Sequence, residues 1–172
     1  MDRRRSIFRP DQACWAALAC ILALVLGTFA APAHAQSRKA TPQEVAAIRA
    51  CANKYKDSDD GERQCLFKLV ADKCIGDVGA ASDRKLLECY ELEGSIWDDL
   101  LNQNYKRLLD TLDDDQKVIA RDMQRAWISY RDTTCKFYWD KIHGTMANHM
   151  IASCKMRETG RRAMLLDFFS RF

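Results

Sequence analysis

The sequence lacks the motifs by which many enzymes are recognised. It has no G-x-S-x-G, no H-E-x-x-H, no glycine-rich phosphate loop and no EF-hand pattern. Proline and glycine are scarce, 3 and 7 in 172 residues, which favours long helices over a turn-rich all-β fold. Neither sign of charge dominates. The 27 Lys+Arg against 24 Asp+Glu leave +3, too weak and too mixed for a nucleic-acid-binding surface. At 48% apolar and 30% charged, the composition is neither disordered nor fibrous. The length allows one domain and leaves little room for a second. What the chain holds in excess is cysteine, eight in all.

The meaning of those cysteines depends on the N-terminus. Arg3, Arg4, Arg5 and Arg9 form a basic start, Ala16 to Ala30 is an uncharged apolar run, and Ala33-His34-Ala35 supplies a small-x-small cleavage pattern. This reads as a signal peptide over residues 1–35. An uncleaved anchor is the alternative, because Ala13 to Ala33 is about long enough to span a bilayer. A lipid anchor fits poorly, since Cys20 lies inside the apolar run instead of after it. Cleavage would leave no stable membrane anchor and a periplasmic or secreted chain. The segment takes four arginines, Asp2 and Asp11 with it, so 23 basic and 22 acidic residues remain, a net of +1. It also takes Cys14 and Cys20. Six cysteines then remain in an oxidising compartment, where disulfides are the default.

Residues 36–172 read as a single all-α domain, a compact bundle of about five helices. Thr41-Pro42-Gln43-Glu44 is a capping box with proline at the first helical position. It opens a helix with Val45, Ile48, Cys51, Ala52 and Tyr55 on one face, closed by the polar turn Asp57 to Gly61. A second helix is expected over about Glu62 to Lys73. After a glycine loop, Ser82 caps a long helix whose stripe includes Leu86, Cys89, Tyr90, Glu93, Ile96, Trp97, Leu100, Leu101, Asn104 and Leu108. Asp113-Asp114-Asp115 starts the next helix, where the dipole favours acids. Its expected inward face is Ile119, Met123, Ala126, Trp127, Tyr130, Thr134, Phe137 and Tyr138. His143 to His149 reads as a solvated loop before a last helix, about Met150 to Phe169. Trp139 and Phe172 fall off the stripes and are expected to be exposed.

Helix hairpins limit the cysteine pairings. Cys51 faces Cys65 across the Asp57–Gly61 turn, Cys74 faces Cys89 across the glycine loop, and Cys135 faces Cys154 across the last loop. Each closed ring is worth about 3 kcal/mol by the chain-entropy estimate. A zinc site using cysteines with His143 or His149 is the rival, but no C-x2-C pair exists. No metal and no cofactor are expected. Glu93 lies on the buried stripe and must be paired there. Arg131 on the next helix is the expected partner.

From Cys89 onward the chain resembles the lysozyme inhibitor LprI family of small exported bacterial proteins. The matching residues are Cys89, Glu93, Trp97-Asp98, Leu101-Asn102 and Tyr105, then Gln124, Trp127, Tyr130-Arg131-Asp132 and Cys135. After Gly144 come Cys154, Thr159, Arg162 and Leu166. The resemblance implies a disulfide-bonded helical domain that binds lysozyme and blocks its cleft, without enzyme chemistry of its own. Another envelope protein, or peptidoglycan, is the alternative partner of a non-inhibitory structural protein. The acidic turns Asp57-Asp59-Asp60 and Asp113-Asp114-Asp115 are the candidate lysozyme contacts, since animal lysozymes are basic. Acids at such positions are also expected from turn and helix-start chemistry alone.

Overall fold

The computed structural model describes residues 38–172; the expected signal peptide, with Cys14 and Cys20, lies outside the described residues. Six helices run in order: α1 Pro42–Lys54, α2 Gly61–Cys65, α3 Ala71–Ile75, α4 Asp83–Thr111, α5 Asp114–Ile142 and α6 Gly144–Phe169. No strand occurs among the described residues. The fold is all-α.

Local chemistry sets the helix starts. Thr41 accepts the Glu44 amide at 3.2 Å while Glu44 accepts the Thr41 amide at 2.8 Å, the reciprocal pair expected from the sequence. Ser82 accepts from the Lys85 amide at 3.2 Å to open α4. Asp113 and Gln116 form a second reciprocal cap at α5. Each such cap is worth about 1 kcal/mol.

α4 and α6 share the largest interface and run parallel. Their starts meet where Asp83 accepts the Thr145 hydroxyl at 2.7 Å, and their ends meet where Arg107 bonds Asp167 at 2.5 Å. The expected α4 stripe holds. Ile96, Trp97, Leu101 and Leu108 are buried and form the centre of the core with Met156, Ala163 and Leu166 of α6. Burying each large side chain contributes about 1.5–3 kcal/mol. α1, α2 and α3 cover the other side of this pair through Ile48, Leu66, Val70 and Ala71.

Three disulfides join Cys51 to Cys65, Cys74 to Cys89 and Cys135 to Cys154, with Cα–Cα distances of 5.7, 5.6 and 5.5 Å. These are the hairpin pairings. With all six tied up, none is available as a zinc ligand.

Three expectations about the helices need correction. The stretch Glu62 to Lys73 is not one helix; it breaks into α2 and α3 around Phe67, whose φ of 68° lies in the left-handed region. His143 to His149 is not a loop. The reversal between α5 and α6 is made by two left-handed residues, His143 at φ 59° and Gly144 at φ 71°, and α6 begins at once. Glycine is needed at 144 because a side chain is strained at that φ. His149 is consequently buried in the first turns of α6, its Nδ1 3.2 Å from Asp83 Oδ1, close enough for an ion pair when protonated but not aligned as a hydrogen bond.

The third correction concerns α5. Its buried positions are Ala120, Gln124 and Cys135, with Trp127, Arg131 and Tyr138 half-buried beside them. Ile119, Ala126, Tyr130, Thr134 and Phe137, expected inside, are exposed. The helix turns a polar stripe toward α6 and leaves its apolar stripe outside. Trp139 and Phe172 are exposed, as the sequence led us to expect.

Candidate functional site

Residues of the sequence motif gather at two places around α6. The first is a hub in the core. Glu93, fully buried, accepts the Phe67 amide at 2.8 Å, the Ala71 amide at 2.8 Å and the Trp97 indole N–H at 3.0 Å. Burial pushes its carboxyl above the ordinary range, and the three N–H donors pull it back. This replaces the expected pairing with Arg131, which does not form. The carboxylate is satisfied by backbone donors at the α2–α3 break and by the indole, and one of its bonds is to the amide of Phe67, the residue with the left-handed φ. On the far side of Trp97, Gly160 of α6 lies against the indole and Leu66.

The second place is the α5–α6 seam. The Trp127 ring carries the Arg131 guanidinium 4.9 Å from its centroid and the Arg162 guanidinium at 5.6 Å. Arg162 is buried, and its Nε donates to Gln124 Oε1 at 3.0 Å, while Nη2 has no partner within the described residues. Burial pushes its pKa down. Arg131 pairs with Asp132, Nη2 to Oδ1 at 2.9 Å, and Lys155 of α6 reaches the same carboxylate at 3.8 Å. Cys135–Cys154 locks the seam below this cluster. Gln124, Trp127, Arg131 and Arg162 are thus brought together, and Tyr105 lies half-buried against the core. Asn102 and Tyr130 are not part of either cluster. Asn102 is exposed and donates to Asp98 at 3.1 Å, and Tyr130 projects into solvent.

The acidic turns expected to meet a partner lie toward one end of the bundle. Asp57 pairs with Arg171 just beyond α6, and Asp113 follows the last turn of α4; the Arg107–Asp167 bond ties those two helix ends together. Most of these acids are engaged. Asp60 pairs with Arg63, Asp113 caps α5, and Asp114 lies 3.6 Å from Lys117. Asp59 and Asp115 are exposed and have no ion-pair partner among the described residues.

Beside the Asp57–Gly61 turn opens a cleft of about 590 Å³ between α1, α4 and α6, with Trp97, Leu100 and Asn104 among its lining residues. Its walls carry Arg49, Lys56, Arg107 and Arg161 against Asp57, Asp59, Glu62 and Asp167. Arg161 pairs with Glu62 and with Glu158, and Arg107 with Asp167, so most of this charge is internally neutralised. The sequence offered no sign of this cleft. Its cations come from three segments far apart in the chain, α1 with the turn after it, α4 and α6, and follow no motif spacing.

A family model described as Lysozyme inhibitor LprI matches residues 74–166, more than half of the chain. The chain belongs to the lysozyme inhibitor LprI family. The matched region spans Cys74 to Leu166, so Glu93, Trp97 and Gly160 of the core hub, the Trp127 seam and two of the three disulfides fall inside it, while the Phe67 and Ala71 donors, α1 and the Cys51–Cys65 staple lie outside. No match was found among curated proteins or among solved structures. Within the LprI-matched region the motif residues divide by role. Glu93, Trp97, Gln124, Trp127 and Arg162 hold helices to one another, and Asn102 and Tyr130 face outward.

Proposed function

We propose that this LprI-family chain is exported, loses residues 1–35, and acts as a non-enzymatic inhibitor that binds lysozyme. The observation that carries the proposal is the family match over residues 74–166. Three disulfides support the export half of the reading, because such bonds persist in oxidising compartments. No described helix is long and apolar enough to cross a membrane. The contact surface in this reading is the bundle end that carries the turns at Asp57–Asp60 and Asp113–Asp115. Its exposed, unpaired acids Asp59 and Asp115 would face a basic enzyme surface, where complementarity acts mainly on association rate.

The test is inhibition of lysozyme acting on bacterial cell walls by the natively processed protein. Dose-dependent inhibition that disappears after disulfide reduction is the expected result. Replacing both Asp59 and Asp115 with lysine should weaken it while leaving helicity intact. Unchanged lysozyme activity at tens of micromolar inhibitor would sink the reading. It would leave a non-inhibitory envelope-binding protein in its place.

A further inference from the structure

α5 carries two stripes and the monomer uses one. Ala120, Gln124, Trp127, Arg131 and Cys135 face α6. About 100° around the helix, Ile119, Met123, Ala126, Tyr130, Thr133 and Phe137 follow one another at alternating steps of four and three residues. That is the heptad spacing of a coiled-coil seam. It lies in solvent: Ile119 is 69% exposed, Tyr130 54% and Phe137 64%. Ala126 and Thr133 are exposed too, and Met123 is half-buried.

We propose that this face of α5 is the interface of a two-fold homodimer, in which the α5 helices of two copies pack antiparallel. The occupant is a second copy because the stripe is complementary to itself. An antiparallel register sets Ile119 of one copy against Phe137 of the other, Met123 against Thr133, and Ala126 against Tyr130. Every layer is then a contact between the two alternating seam positions, as antiparallel coiled coils require. Charge follows the same register. Asp122 flanks the N-terminal half of the stripe and Lys136 the C-terminal half, on the same side of the helix. The antiparallel match brings Asp122 of one copy beside Lys136 of the other, twice by symmetry, whereas a parallel match leaves them about 21 Å apart along the helices. Lys136 has no ion-pair partner among the described residues, and Asp122 holds only the exposed Arg125. The Cys135–Cys154 bond and the Gln124–Arg162 contact fix α5 on α6, so the face is presented on a rigid support.

Sedimentation velocity of the natively processed protein over a range of concentrations tests the proposal. A concentration-dependent dimer is expected. Phe137→Asp and Ile119→Lys should each raise its dissociation constant at least about tenfold, because two-fold symmetry counts every substitution twice. Both side chains are exposed, so circular dichroism and a free-thiol count should match the parent protein. The register is read by charge reversal: Lys136→Asp should weaken the dimer, and adding Asp122→Lys should restore it. A monomer at every concentration overturns the proposal, as does a dimer indifferent to Phe137→Asp or unrescued by the double reversal. A monomer whose lysozyme inhibition falls with Phe137→Asp also overturns it, and assigns the face to the enzyme instead.

Discussion

Gly160 of α6 packs flat against the indole of Trp97 in α4, and a methyl group at position 160 would lie 3.1 Å from the ring and closer still to Leu66. The Leu66 atom is a terminal methyl, but Leu66 is as deeply buried as the Trp97 ring, so neither has open space to turn into. Gly160→Ala should therefore force α4 and α6 apart, against the usual gain of alanine in a helix. The expected loss is about 1–3 kcal/mol in a denaturant titration. A midpoint equal to or above that of the parent would show that the pair can move aside at no cost.

Glu93 gives a second expectation. Its carboxylate faces three N–H donors, so Glu93→Gln presents an amide N–H₂ to one of them. One buried donor then loses its acceptor, a cost of about 1–3 kcal/mol. The α2–α3 break should loosen first, seen as faster amide exchange at Phe67 and Ala71. Unchanged exchange there would mean that the carboxylate does not hold the break.

Arg162 is buried over Trp127 with no carboxylate within ion-pair reach among the described residues. Arg162→Met keeps an apolar chain over the indole and removes a desolvated charge, so it should be neutral or stabilising. Arg162→Lys keeps the charge but loses the planar stack, and should cost about 1–2 kcal/mol. Thermal melts of the two variants give the order; lysine at least as stable as methionine would contradict this account.

Removing the Cys135–Cys154 bond isolates the hold of α6 on α5. The paired Cys135→Ser, Cys154→Ser variant should lose about 3 kcal/mol from the loop-entropy contribution. Because α5 packs mainly on α6, the loss should be local. Hydrogen exchange should accelerate by up to about a hundredfold along α5 while the core of α4 keeps its protection. Equal acceleration in α4 and α5 would instead indicate a single cooperative unit.

Glu44 sets a pH dependence. The Arg38 guanidinium at 2.5 Å, with the Thr41 amide and hydroxyl, holds its carboxyl down from the ordinary 4.5 to about 2. A depressed carboxyl contributes stability that is fully present above 4.5 and is lost as pH falls toward 2. Amide protection in the first turn of α1 should fall across that window. Arg38→Ala should shift the fall to higher pH, and an unshifted profile would show that Arg38 is not the cause.

Features decided within one helix turn, or across one short hairpin, were legible in the residues. The caps at Thr41, Ser82 and Asp113, the buried stripe of α4 and all three disulfide pairings follow from neighbours in sequence, because such hydrogen bonds and spacings depend on local backbone geometry. The backbone partners of Glu93 were not legible. Unlike the Trp97 indole four residues on, those donors come from 22 and 26 residues upstream, and an unpaired backbone amide has no signature in an amino-acid sequence. The cleft beside Asp57 was hidden for the same reason. In α5 the sequence carries two stripes and does not rank them. The immediate reversal at His143–Gly144 and the Cys135–Cys154 bond bring α6 back along the polar one, and that chain path, not hydrophobicity, left Ile119, Tyr130 and Phe137 outside.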